Sequence, residues 1–200
     1  MRNHPLVTAA ASGELPAWAQ AGKARRAHMK RVASLLKAWA VARGERGREV
    51  DRWVAVGYLH DALREADPTT LRKRVPKSFR HLDGNVLHGP GAAARLRDEG
   101  VKDKELLKAV AYHTLGHPDF GPLGRALYAA DFLEPGRRFR AKWRAKLRER
   151  MPENMDGVVR EILAARIRRL VDGGRPIRKE TMDFWNTVAT GEAWVGASEP

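Results

Sequence analysis

The chain has 200 residues, of which 43% are hydrophobic, and this content is sufficient for one well-buried domain. It contains no cysteine, which excludes disulfides, cysteine-ligated zinc fingers and thiol catalysis, so any metal site must use nitrogen and oxygen ligands. The formal net charge of +14 indicates a polyanionic partner, whether a nucleic acid, an acidic membrane surface or a phosphorylated small molecule.

The N-terminal region lacks the continuous apolar run of a signal peptide, because polar residues and two prolines, Pro5 and Pro16, interrupt it. No transmembrane stretch follows, so we expect a soluble, cytoplasmic protein that does not enter a membrane. We predict a flexible segment over residues 1–16, a single helical domain over 17–190 and a tail over 191–200.

Helical periodicity dominates the domain, and little of the sequence alternates as a strand would. The apolar patterns predict helices over residues 18–43, 48–64, 69–75, 91–100, 102–114, 123–134 and 155–174. Glycine or proline follows most of these segments, as is typical of helix ends. The sequence therefore predicts an all-α fold, a helical bundle of about seven to nine helices without internal repeats.

The segment 137–150 is strongly basic, with eight Lys or Arg residues and one Glu, and it contributes half of the net charge. Its composition favours a helix, in which Phe139, Trp143 and Leu147, spaced by four, would face the core. The simpler interpretation is a solvated basic face over a packed apolar stripe. The functional alternative is a positive rim that attracts a polyphosphate or an RNA.

An ionisable pair, His60 and Asp61, follows the apolar run "VAVGYL" on an otherwise inward face. An unpaired buried charge costs several kcal/mol, so the pair needs partners elsewhere in the chain. A single inward histidine is more often a hydrogen-bonded core residue than a ligand, but the joint occurrence favours one shared site. The candidates at inward helical positions are His28, His60, Asp61, His88, His113 and Asp131.

The order of these six residues resembles that of the HD-domain metal-dependent phosphohydrolases. Within that superfamily the chain is most similar to the bacterial symmetrical diadenosine tetraphosphate hydrolases, the YqeK family. The resemblance covers roughly residues 25–190, through the strings "HMKRV", "YLHDALRE", "VLHGPGAAA", "AVAYHTLG", "LYAADFLEPGR" and "RPIRKETMDFWN". It implies an HD-domain helical bundle and a hydrolase with a metal centre.

The resemblance also implies a ligand set for two divalent or mixed-valence metal ions. One ion is assigned to His28, His60, Asp61 and Asp131, and the second to Asp61, His88 and His113, with Asp61 as a bridge. Imidazole and carboxylate ligands suit iron, the family expectation, and also manganese or zinc. Two such ions can lower the pKa of a water and clamp a phosphoryl group for in-line attack, so no protein nucleophile is required.

Other residues of the same strings are candidates for substrate binding. Arg64 and Arg137 are assigned to the phosphates, since a guanidinium group binds phosphate oxygens in a bidentate way. A surface position at a helix end explains Arg64 equally well. Thr114 and His117 could also contact a phosphate, although His117 departs from the family pattern and a plain loop explains it too. Glu134 could orient a ligand or a water.

Three functions remain open at this point. The first is symmetrical hydrolysis of diadenosine tetraphosphate, a dinucleoside polyphosphate, to two ADP, with Asp61, Arg64 and Arg137 as the catalytic group. The second keeps the fold but changes the substrate to a nucleoside triphosphate, a cyclic nucleotide or a phosphomonoester. The third is a basic helical protein that binds RNA through residues 137–150 and has a non-catalytic metal site, and it is not favoured because all ligand positions are filled. No pattern predicts the oligomeric state.

Overall fold

The computed structural model describes residues 3–189, and these residues form ten α-helices joined by turns, without a strand. The helices are α1 (Pro5–Ala11), α2 (Lys23–Ala42), α3 (Arg48–Leu59), α4 (Pro68–Arg74), α5 (His88–Asp98), α6 (Lys104–Tyr112), α7 (Pro122–Leu133), α8 (Ala141–Arg150), α9 (Met155–Asp172) and α10 (Lys179–Ala189). Two short 3₁₀ turns, Lys77–Phe79 and Gly84–Val86, lie between α4 and α5. The predicted all-α class is confirmed.

Helix α7 is the centre of the bundle. It contacts α2, α3, α6, α8 and α9, and eight of the eleven residues from Leu123 to Leu133 are buried. A helix that is apolar on all sides is stable only when neighbours surround it, which explains this position. Helices α2 and α3 pack against each other as well as against α7, and α5 packs on α6.

A close backbone contact joins α2 and α3. Gly57 lies so near α2 that a Cβ at this position would be 2.6 Å from the Cα of Ala33, well inside van der Waals contact. Only the absence of a side chain allows this approach. The contact brings His28, five residues before Ala33, towards His60, three residues after Gly57.

Several helix boundaries differ from the prediction. Pro5–Ala11 forms α1, whose Val7 and Ala10 are buried against α3, whereas we expected a flexible segment over residues 1–16. Helix α3 ends at Leu59 rather than near Arg64. The predicted tail over 191–200 lies outside the described residues.

The basic segment also differs from a continuous helix. Helix α8 begins at Ala141, and the preceding residues form a loop in which the side chain of Phe139 is 74% exposed. The predicted inward stripe is therefore wrong at Phe139, while Leu147 is buried and Trp143 packs against the core. Arg144 is itself buried, and its guanidinium donates to the backbone oxygens of Phe132 and Phe139.

The last described helix completes the core. Helix α10 packs on α9, and the buried ring of Phe184 meets the rings of Phe120 and Tyr128 edge to face. The hydroxyl of Thr181 donates to the backbone oxygen of Leu115 at 2.8 Å. Among residues 3–189 no helix combines the length and the apolar character needed to cross a membrane.

Candidate metal centre

The structure brings the six predicted ligand residues together at the middle of the bundle. Five helices contribute, because the residues lie within or directly after α2, α3, α5, α6 and α7. All except Asp131 are buried, and the Asp131 side chain is only 15% exposed. The members of this cluster, called the metal centre below, are His28, His60, Asp61, His88, His113 and Asp131.

Three histidines of the metal centre are oriented by the same local device. The Nδ1 of His60 lies 2.9 Å from the backbone oxygen of Gly57, that of His88 lies 3.0 Å from Asn85, and that of His113 lies 2.8 Å from Val110. A carbonyl oxygen only accepts, so each Nδ1 carries the proton and donates it. Each Nε2 is then left with a lone pair, which is the state a metal ligand requires.

The end of α3 places His60 and Asp61 at its tip rather than along its side. The amide of His60 still donates to Val56 in the helical manner, but those of Ala62 and Arg64 donate to residues three positions earlier. The chain therefore tightens into 3₁₀-like turns directly at the His-Asp pair. The two side chains project from this turn into the centre of the bundle.

The carboxylate of Asp61 lies between two pairs of histidines. Its Oδ1 is 3.1 Å from the Nε2 of His88 and 3.5 Å from that of His113. Its Oδ2 is 3.6 Å from the Nε2 of His28 and 3.5 Å from that of His60. One oxygen thus faces one pair and the second oxygen faces the other, which is the arrangement that a bridging carboxylate needs.

The ligand atoms are close enough together to share a cation. Those of His28, His60 and Asp131 lie within 4.8 Å of one another, and so do those of His60, Asp61 and His113. The Nε2 atoms of His28 and His60 are buried without a hydrogen-bond partner among residues 3–189. A buried, unpaired lone pair is costly, and a cation would satisfy it, so the residues fit a metal centre.

Electrostatics favour ionised carboxylates at Asp61 and Asp131 and a neutral ring at His88. The pKa of His113 is raised instead, because its interaction with Asp61 outweighs the opposing effect of burial. Burial alone would raise the pKa of the Asp61 carboxyl, but the surrounding histidines, led by the adjacent His60, lower it well below its ordinary value. Burial would also raise the pKa of the Asp131 carboxyl, but the nearby His28 ring and the charge of Arg137 lower it. Burial lowers the pKa of His88 to about 4, so this ring is neutral at physiological pH.

Arginines surround the metal centre. Arg25 Nη1 is 2.7 Å from Asp61 Oδ2, and Arg137 Nη2 is 2.8 Å from Asp131 Oδ1. Sequence reasoning missed Arg25, although its position three residues before His28 places both on one face of α2.

Glu134 supports His28 from the outer side. Its Oε1 lies 3.4 Å from His28 Nδ1, and its Oε2 accepts from Arg31 Nε at 2.5 Å. Burial would raise the pKa of the Glu134 carboxyl, but the hydrogen bond from Arg31 lowers it, so it remains a carboxylate. Arg31 was also missed, and its signal is again its spacing from His28 along α2.

The remaining predicted residues lie at different distances from the metal centre. Arg64 forms no ion pair with the described residues, yet its charge contributes to the lowered pKa of His88. Thr114 follows His113 directly, and its hydroxyl oxygen is buried without a partner among residues 3–189. His117 instead packs its ring on Tyr112, with 4.5 Å between centroids, and its Nδ1 accepts from the amide of Asp119. Within the described chain His117 makes no contact with the six ligand residues.

Comparisons with known proteins agree with this geometry. The family model described as HD domain matches residues 25–136, more than half of the chain. A protein named symmetrical bis(5'-nucleosyl)-tetraphosphatase from Halalkalibacterium halodurans is 27% identical over 148 residues, which are 71% of this chain and 78% of that protein. A protein of the same name from Bacillus subtilis is 36% identical over 69 residues, 34% of this chain and 37% of that protein.

A solved structure shares the fold. It is described as a predicted HD superfamily hydrolase involved in NAD metabolism, from Clostridium acetobutylicum, and it superposes with a TM-score of 0.74 at 21% identity. The match covers 86% of this chain and 92% of that one. The predicted HD-domain bundle is thereby confirmed. Because the family model matches more than half of this chain, the chain belongs to the HD domain family and is a metal-dependent phosphohydrolase.

Proposed function

We propose that the protein hydrolyses diadenosine tetraphosphate symmetrically, giving two molecules of ADP. The observation that carries the proposal is the carboxylate of Asp61, whose two oxygens face two separate pairs of histidine nitrogens at 3.1 to 3.6 Å. This arrangement suits two adjacent cations acting on one phosphoryl group. Relatives named symmetrical bis(5'-nucleosyl)-tetraphosphatase support the choice of substrate.

The six residues of the metal centre would hold two ions. His28, His60, Asp61 and Asp131 would bind one, while Asp61, His88 and His113 would bind the other. Iron is the first expectation, and manganese or zinc fits the same nitrogen and oxygen donors. When bound, the ions supply Lewis acidity and a water of lowered pKa. Asp61 would act catalytically through its two carboxylate oxygens, one for each ion.

The arginines at the metal centre would serve the phosphate chain. Arg25 and Arg137 now pair with the carboxylates of Asp61 and Asp131, at 2.7 and 2.8 Å. Cations bound to those carboxylates would compete for the same oxygens, and the guanidinium groups would then be available to phosphate oxygens. Arg64 would contribute a third positive charge, because it is not engaged in an ion pair with the described residues. Together these charges would stabilise the negative charge that develops on the phosphates.

Thr114 would donate its hydroxyl to a phosphate oxygen beside His113. The buried hydroxyl lacks a partner among the described residues, and an oxygen acceptor would satisfy it. His117 has weaker support as a substrate residue, because it packs on Tyr112 and not on the metal centre.

In the reaction, one water is consumed and one phosphoanhydride bond breaks. The water oxygen bonds to one of the two inner phosphorus atoms, and the oxygen that bridges the two inner phosphorus atoms leaves with the other half. Each half is then ADP, and the protons of the water pass to solvent and product. In-line attack of this kind depends on positioning and charge stabilisation more than on a protein nucleophile.

The test is turnover of diadenosine tetraphosphate by purified protein loaded with iron or manganese, with products separated by chromatography. ADP as the only product supports the proposal. ATP together with AMP would show asymmetrical cleavage, and no turnover by protein containing two metals would redirect the search to nucleoside triphosphates, cyclic nucleotides and RNA. Arg64→Ala should keep the metals and weaken turnover, which separates charge stabilisation from ligation.

A further inference from the structure

The loop between α7 and α8, which carries Arg137, exposes an aromatic ring. Phe139 is 74% exposed, more than any other large hydrophobic residue in the described part of the chain, where Val171 and Val41 follow at 61% and 49%. An isolated exposed apolar side chain needs no explanation by itself. The position of Phe139 in the loop that carries Arg137, however, suggests a function for the exposed ring.

The backbone of this loop is held with the ring directed outward. Arg140 has φ 51° and ψ 42°, and it is the one residue other than glycine with a positive φ among residues 3–189. The backbone oxygen of Phe139 accepts from Nε of the buried Arg144 at 2.8 Å. The Arg140 guanidinium is occupied elsewhere, since it lies over the Trp143 ring at 4.5 Å. The exposed ring is therefore a consequence of a fixed loop conformation.

Phe139 is separated by only two positions in the chain from a residue that contacts the metal centre. Arg137, two residues before Phe139, contacts Asp131 through its side chain at 2.8 Å and its Nε donates to the Asp131 backbone oxygen at 3.0 Å. Two residues span at most about 7 Å of chain. This reach is comparable to the separation between the phosphates and the base of a nucleotide.

We propose that Phe139 stacks on the purine base of a nucleotide whose phosphates bind at Arg137 and the metal centre. The inference deepens the proposed function and rests on it for the nucleotide class of the substrate. Every nucleobase offers a π face, and stacking on an exposed aromatic ring is an established source of nucleotide affinity. The exposed Arg138 adds positive charge next to the ring, which favours an anionic nucleotide over an uncharged apolar partner.

The test compares a ligand that has a base with one that lacks it. Binding of ADP and of inorganic pyrophosphate to manganese-loaded full-length protein is measured by calorimetry for wild type, Phe139→Ala and Phe139→Trp. We expect Phe139→Ala to weaken ADP binding about 5- to 100-fold and to leave pyrophosphate binding unchanged, while Phe139→Trp retains ADP affinity.

Val41→Ala is the matched control, because it removes another exposed apolar side chain about 20 Å along α2 from His28. It should leave both affinities at wild-type values. Equal losses for ADP and pyrophosphate in Phe139→Ala would show that the loop only positions Arg137, and this result would overturn the proposal. So would unchanged ADP affinity, or wild-type protein that binds neither ligand.

The result is independent of the cleavage assay. Selective loss of ADP affinity in Phe139→Ala, in a protein that fails to cleave diadenosine tetraphosphate, would refute the proposed reaction and support base stacking. Symmetrical cleavage together with unchanged ADP affinity in Phe139→Ala would support the proposed reaction and refute base stacking.

Discussion

Substitution of Gly57 by alanine tests how helix packing builds the metal centre. The added Cβ would lie 2.6 Å from the Cα and 2.8 Å from the backbone nitrogen of Ala33, whereas ordinary contact begins at 3.4 Å. Because these are backbone atoms, no rotamer change relieves the overlap, and α3 must move away from α2 by about 0.8 Å or more. Overpacking of this kind costs about 3 kcal/mol, and the gain in helix propensity returns about 1 kcal/mol.

We therefore expect Gly57→Ala to lose about 2 kcal/mol in the free energy of unfolding, or about 4 to 8 °C in Tm. The displacement separates His28 on α2 from His60 after α3, and metal ligands tolerate changes of only about 0.2 Å, so bound metal should fall as well. Denaturant unfolding and metal analysis of the purified protein measure the two effects.

A second substitution identifies the atoms responsible. Adding Ala33→Gly to Gly57→Ala removes the Ala33 Cβ but leaves its Cα and nitrogen, so we expect no recovery of stability or metal. Full recovery would show that the contact is between side chains, and wild-type stability and metal content in Gly57→Ala would refute the packing argument altogether.

Three further predictions concern single groups. His60→Ala should remove bound metal and abolish turnover, whereas the control His81→Ala, which changes an exposed histidine, should keep both. Equal metal content in the two variants would contradict the ligand assignment. Arg25→Gln should retain metal while kcat/KM falls about 10- to 1000-fold, because charge stabilisation is lost and ligation is not, as metal analysis and steady-state kinetics would show. In metal-free protein, burial holds the pKa of His88 at about 4, below its ordinary 6.5, so the unfolded chain binds the additional proton between these values. The free energy of unfolding therefore decreases as pH falls from 6.5 to 4. In denaturant titrations His88→Asn should flatten this decrease. An unchanged slope would assign the decrease to other groups.

Sequence reasoning could not find the partners of the ligand residues. Arg25 and Arg31 each lie three residues from His28 along α2, but this spacing does not identify the carboxylates that they contact. Their roles depend on α2 packing beside α7, which brings Arg31 to Glu134 at 2.5 Å and Arg25 to Asp61 at 2.7 Å. Such pairs join residues far apart in the chain, so spacing along one helix indicates a shared face but does not reveal the partner.

The error at Phe139 has a different physical origin. Helical spacing predicts which way a side chain faces only within a helix, and α8 begins two residues later, at Ala141. The left-handed conformation of Arg140 breaks the periodicity before it reaches Phe139. Similarly, Val7 and Ala10 are too few to predict α1, which is stabilised by its contact with α3.

The sequence by itself determined the helical class and indicated six candidate ligand residues, because apolar periodicity and ionisable groups on inward faces are local properties of the chain. Only the tertiary structure decided how those residues meet. The backbone contact at Gly57, the turn that follows Leu59 and the carbonyl partners of three histidines together place Asp61 between two pairs of imidazoles. That geometry arises from the packing of five helices, and it cannot be deduced from any one helix alone.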